Sequence, residues 1–159
     1  MARLVQYHIV THVERLGFEA VNRRNEDSTL SAILNLEKIG LEAIEHAQDN
    51  AVFASITAIE KIGIIAYDHK LYVAPYLAII KLGDLANSGI GHELNWVTTI
   101  CVQKINNLHD KASELEYEWI AEKATEVLEK INNQCEIDDN DLSELMRVYN
   151  RLNSETVYN

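Results

Sequence analysis

Apolar residues recur along this chain at helical spacing, and they keep that spacing across positions where a glycine would be expected to stop it. Ile33, Leu36, Ile39, Ala43 and Ala47 mark one face and run straight through Gly40. Steps of three and four residues define an amphipathic helix rather than a strand. The stretch also repeats. Val13-Glu14-Arg15-Leu16-Gly17-Phe18-Glu19-Ala20-Val21 returns as Leu36-Glu37-Lys38-Ile39-Gly40-Leu41-Glu42-Ala43-Ile44. Looser copies follow at Ile59 to Tyr67 and at Ile79 to Asn87, which places glycines at 17, 40, 63 and 83.

The steps between copies are 23, 23 and 20 residues. Such a period is too short for two full helices and suits one helix with a short connection, stacked on the helices before and after it. Each glycine is followed three residues later by Ala20, Ala43, Ala66 or Ala86. A glycine inside a helix costs about 1 kcal/mol relative to alanine, so its return at one phase predicts a close crossing, where small residues let neighbouring helices approach.

Read in order, the pattern predicts six to seven antiparallel helices in an all-α fold. The first covers residues 2–20. A second, capped by Asp27 or Ser28, runs to Ala47, and a third runs from Ala51 to His69. The fourth has Pro75 in its first turn and ends in the loop-like cluster Asn87-Ser88-Gly89-Ile90-Gly91. Helices at 92–108, 114–133 and 142–152 complete the chain. The expected organisation is a single helical domain over 1–159, with a repeat stack at 1–90, capping helices at 91–153 and a frayed tail at 154–159. In the later part Asn106 and Asn132 take the glycine phase.

Composition supports this reading. A chain of 159 residues buries roughly 70% of the surface its unfolded form exposes, and with 47% apolar residues and Pro75 as its only proline it has the makings of a helical core. The net charge of −11 is concentrated late, with eleven acidic side chains between 112 and 145 against Lys123 and Lys130. Nucleic-acid binding draws on clustered Lys and Arg, so it is not expected. Cys101 and Cys135 stand alone, which fits a reducing cytoplasm and neither a disulfide framework nor a zinc site. The longest uncharged apolar stretch, Leu71 to Ile80, falls short of a membrane span, so membrane insertion by this chain is not expected.

Candidate chemistry is sparse. His8 and His12 stand four residues apart on one helix face, a spacing that can hold a divalent metal, but no third ligand is evident. Gly89-Ile90-Gly91 before a helix hints at an anion cradle, yet the third glycine, the preceding strand and a lysine are missing. Asp138 to Ser143 alternates acids as a calcium loop does, with Glu144 where that loop needs glycine; helix capping accounts for it better. No catalytic constellation emerges from spacing, and no cofactor is indicated. The Glu-Lys or Glu-Arg pairs starting at Glu14, Glu37 and Glu60 predict a polar ladder along the stack. With the Asn25-Glu26-Asp27 turn and the aromatic anchors Trp96 and Trp119, it marks where a partner would bind.

The segment Gly17 to Thr29, followed by Ala32-Ile33 and Leu36-Glu37-Lys38-Ile39-Gly40, resembles a stretch in an uncharacterised family of predicted prokaryotic membrane proteins. There one helix ends in a polar turn and a second follows; Arg23-Arg24 here stands where that family tends to carry proline and glycine. The resemblance implies a soluble helical portion of a membrane-associated protein. More broadly the repeat is similar to HEAT-like helical arrays, which implies binding to another protein or self-association. The expectation is therefore a non-enzymatic interaction or structural module; the alternative is a small-molecule or metal-binding protein using His8 and His12 or the Gly89–His92 loop.

Overall fold

The computed structural model describes residues 2–157 and contains seven helices, with no strand among the described residues. They are α1 (Ala2–Asn22), α2 (Glu26–Glu45), α3 (Asp49–Asp68), α4 (Val73–Gly91), α5 (Asn95–Glu114), α6 (Glu118–Gln134) and α7 (Asp139–Val157). Through α6 each helix packs on the next one and on the next but one. The result is two layers: α1, α3 and α5 in one, α2, α4 and α6 in the other.

Five turns of one design set this geometry. Arg24, Ala47, Lys70, Glu93 and Glu116 all adopt left-handed backbone, with φ between 53° and 65°, and they fall every 23 residues. At each, the following N–H reaches back to the carbonyl of Ala20, Ala43, Ala66, Gly89 or Ala112 at 2.8–3.0 Å. The left-handed residue itself bonds to Val21, Ile44, Tyr67, Ile90 or Ser113. This paired pattern is the Schellman helix ending, which satisfies carbonyls that a helix terminus would otherwise leave free. None of the five is glycine, so the chain meets the left-handed strain with hydrogen bonds rather than with a missing Cβ.

The glycine slots follow the same step. A Cβ on Gly17 would lie 2.5 Å from Ile62 Cδ1, one on Gly40 would lie 3.0 Å from Leu85 Cδ2, and one on Gly63 would lie 2.9 Å from Leu108 Cδ2. The second neighbour of each also steps by 23, from Ala32 to Ser55 to Ala78, at 3.2–3.3 Å. Each slot therefore receives a large side chain from two helices on and a small one from the next helix. The fourth copy is in register at Ala86, not at Gly83, because the step remains 23 throughout.

Several boundaries differ from the expected ones. Asn25, not Asp27 or Ser28, caps α2: its side chain accepts the Ser28 N–H at 3.1 Å. The Asn87–Gly91 cluster is helical to its end, and Gly89 is buried against Val97 and Thr98 in the position that alanine holds in other copies. Gly89 thus marks a tight crossing and not a loop, while Gly91 ends the helix in open space. At the far end α7 extends to Val157, past the expected fraying point at 153; residues 158–159 lie outside the described residues. Asp138 and Asp141 cap α7 by exchanging side chain to N–H bonds of 3.0 and 3.1 Å.

Candidate interaction surface

Glu14, Glu37 and Glu60 occupy one position of the 23-residue register, but they do not pair with the basic residues beside them. Glu37 of α2 meets Lys81 of α4 at 3.5 Å, and Glu60 of α3 meets Lys104 of α5 at 3.3 Å. Each rung joins helices two apart, so successive rungs fall in opposite layers. The continuous ladder expected from the sequence is divided between the two layers for that reason.

A third member completes each rung. Asn107 donates to Glu60 at 2.7 Å. One repeat earlier the corresponding residue is Asp84, which shares Lys81 with Glu37. Burial, the neighbouring Asp84 carboxyl and its negative charge push the Glu37 carboxyl up to about 7, against the pull of Lys81. Glu37 thus holds a proton more readily than an ordinary carboxyl, which weakens its contact with Lys81 as an ion pair. Glu14 has Ala58 at the lysine position; it lines a cavity of about 250 Å³ with Lys61, Tyr7, Asn50 and Thr57.

The remaining candidates separate. Asn25 is committed to capping, and Glu26 and Asp27 occupy the first turn of α2, where carboxylates suit the helix dipole. Trp96 is 3% exposed, so it is core and not a surface anchor. Trp119, one repeat on, is 48% exposed and tilts against Tyr76 with ring centroids 5.3 Å apart. α7 packs on α5, which carries Trp96, and not comparably on α6, which carries Trp119.

His8 and His12 are both exposed, and His12 Nδ1 lies 3.0 Å from an Arg15 guanidinium nitrogen. Among the described residues no group of three His, Cys, Asp or Glu side chains is arranged to hold a metal. The Gly89–His92 segment is the C-terminal end of α4, where free carbonyls and not N–H groups gather; His92 bonds back to Ser88. It is the wrong helix end for an anion cradle.

Two features escaped the sequence reading. Lys81 and Lys104 stand 23 residues apart, so the register itself carried the signal for the rungs once the period was held constant. The second feature is an open N-terminal edge. Position 9 carries Ile9 at 44% exposure, whereas its repeat equivalents Ala32, Ser55, Ala78, Cys101 and Ala124 are at 4% or less. Leu16 is 45% exposed and its next equivalent, Ile39, is partly buried, whereas Ile62, Leu85, Leu108 and Ile131 are at 1% or less. These are the two positions that fill a glycine slot on an earlier helix, and among the described residues nothing covers them on α1. Between α1 and α2 lies a groove of about 320 Å³ that includes Val13, Leu16, Ala20 and Ala32, with Arg23 and Asn35 at its rim.

α3 has the length and hydropathy of a membrane span, and 56% of that stretch is buried inside the protein, as befits the central helix of the stack. No protein-family model matches the chain, and neither does any curated protein or solved structure.

Proposed function

We propose that this chain is a non-enzymatic interaction or structural module that associates through its N-terminal edge, with a second copy of itself or with another protein. One observation carries the reading: Ile9 is exposed at a position that every later copy of the repeat buries, and Leu16 is exposed at one that later copies bury from Ile62 onward, with Ile39 partly buried between them. Among the described residues no helix covers this edge. Solenoid ends exposed to water need polar capping residues. The last even-layer helix, α6, has them in Glu122, Thr125, Glu129 and Asn132, which replace Tyr76, Ile79, Gly83 and Ala86 of α4 two repeats earlier. α1 keeps its apolar pair.

The helical period supports a likeness to HEAT-like arrays, since two helices span 46 residues here and such repeats run about 40–47. On this reading the chain is a short array working in the cytoplasm, and the similarity of residues 17–40 to membrane-protein sequences would make it the soluble portion of a membrane-associated assembly.

Native mass spectrometry of the full chain tests the proposal. We expect a homo-oligomer or a defined hetero-complex that Ile9→Asp with Leu16→Asp dissociates. Complexes that survive the double substitution, or a chain that stays monomeric and bare when isolated gently from its host, would overturn it.

A further inference from the structure

The 23-residue register predicts where a seventh helix should lie, in the groove between α5 and α6. α7 is not there. The turn that ends α6 lacks the left-handed residue of the other five; Cys135 is extended, at φ −151° and ψ 116°. From residues 135–138 the chain swings away, and α7 crosses the outer face of the odd layer. It packs on α5, then Tyr149 tilts against Phe53 of α3 with centroids 5.6 Å apart. Arg151 pairs with Asp49 at the start of α3. Leu152 reaches the cavity between α1 and α3. One helix thus touches α5 and α3 and borders the cavity beside α1, as a bound peptide helix does when it lies in a hydrophobic groove.

The seating is partial. Leu145, Val148 and Leu152 are buried at i, i+3 and i+7, whereas Leu142, Met146 and Tyr149 are each more than 40% exposed. Beneath, the buried Oδ1 of Asn50 and Oγ1 of Thr57 find no hydrogen-bond partner among the described residues. Both belong to the α3 strip Asn50, Phe53, Thr57 and Lys61 that lines the cavity. A buried polar oxygen without a donor is unfavourable, so this groove offers more than α7 takes from it.

We infer that the odd-layer face is a helix-binding groove that α7 fills as an internal occupant, and that a partner's amphipathic helix enters by displacing α7. The chemistry that fits is read from α7: apolar residues at i, i+3 and i+7, an aromatic at i+4 over Phe53, and an arginine at i+6 onto Asp49. A side chain with a hydrogen-bond donor reaching Asn50 and Thr57 would favour the partner over α7. This deepens the interaction-module reading on which it rests, but it concerns a different face from the N-terminal edge.

The test uses the full chain and a fluorescent peptide of residues 139–157. Val148→Asp with Leu152→Asp should loosen α7 while leaving the groove intact. Occupancy by α7 lowers apparent affinity by the fraction of open groove, so the peptide should bind this variant saturably and at least about tenfold more tightly than the unaltered chain, a difference of about 1.4 kcal/mol. Adding Phe53→Ala should weaken that binding. Were the double variant to lose its helical circular dichroism, Tyr149→Ala with Arg151→Ala, both at exposed residues, replaces it with the same expectation. Hydrogen exchange on the unaltered chain should show α7 opening well ahead of α3 to α5. A folded variant that binds no peptide, equal binding by variant and unaltered chain, or an α7 as protected as α3 would each overturn the inference. Edge-dependent association that persists while the peptide fails to bind removes this proposal and leaves the earlier one standing.

Discussion

Val127 of α6 lies against Gly83 of α4, its Cγ1 2.7 Å from where a glycine Cβ would stand. In the two preceding repeats the same relationship is Lys81 over Glu37 and Lys104 over Glu60. An apolar contact has replaced an ion pair at one point of an otherwise constant geometry. The first prediction restores the pair. Gly83→Glu alone should destabilise the fold by about 2–4 kcal/mol, because it places a carboxylate against Val127. Gly83→Glu with Val127→Lys should recover at least ~1 kcal/mol beyond additivity in a double-mutant cycle by urea denaturation. Simple additivity would show that the register does not place these two positions as it places the rungs.

The glycine slots give a contrast between sites. Gly40→Leu and Gly63→Leu should each cost more than about 2 kcal/mol, since the added side chain must displace Leu85 or Leu108 from an already filled crossing. Gly91, by comparison, has nothing within 4 Å of the place a Cβ would take, and Gly91→Ala should stabilise by up to about 1 kcal/mol through helix propensity. Thermal unfolding of the three variants checks both signs.

Stability should carry a pH signature from Glu37. Its carboxyl titrates at about 7 in the folded chain against an ordinary 4.5. Between those values the folded chain holds a proton that the unfolded chain has released, so this group's contribution to stability falls as pH rises through that window and is flat above it. Undamped, that difference is worth about 3 kcal/mol, and solvent screening at this partly exposed site brings the loss to about 1–3 kcal/mol. Asp84→Asn, which recreates the Glu60–Lys104–Asn107 arrangement, should flatten this slope and leave the variant more stable than the unaltered chain at pH 8. Parallel pH profiles for the two chains would show that Asp84 does not act on Glu37.

The left-handed turns should accept glycine with gain. Lys70→Gly and Glu93→Gly remove a Cβ that strains the backbone by about 1–2 kcal/mol, offset by the greater freedom of glycine in the unfolded chain, roughly 0.5–1 kcal/mol. A net stabilisation of about 0.5 kcal/mol each is expected in chemical denaturation. Lys70→Val should lose stability at the same site.

By itself the sequence determined the all-helical class, the existence of a repeat and the role of Gly17, Gly40 and Gly63, because apolar periodicity and small residues at one phase are local properties that any helix must express. It did not reveal that the period stays at 23 through Ala86: Gly83 imitates the slot residue, and the turns that hold the register are made by Arg24, Ala47, Lys70, Glu93 and Glu116, whose residue types announce no left-handed backbone. The tertiary structure alone decided which charges meet, since Glu37 and Lys81 are 44 residues apart and come together only when helices two apart share a layer. It also decided which aromatic faces water, burying Trp96 and leaving Trp119 exposed although both hold the same position of the repeat. Partner choice across helices depends on stacking geometry, and stacking geometry is summed over the whole chain rather than written in any one stretch of it.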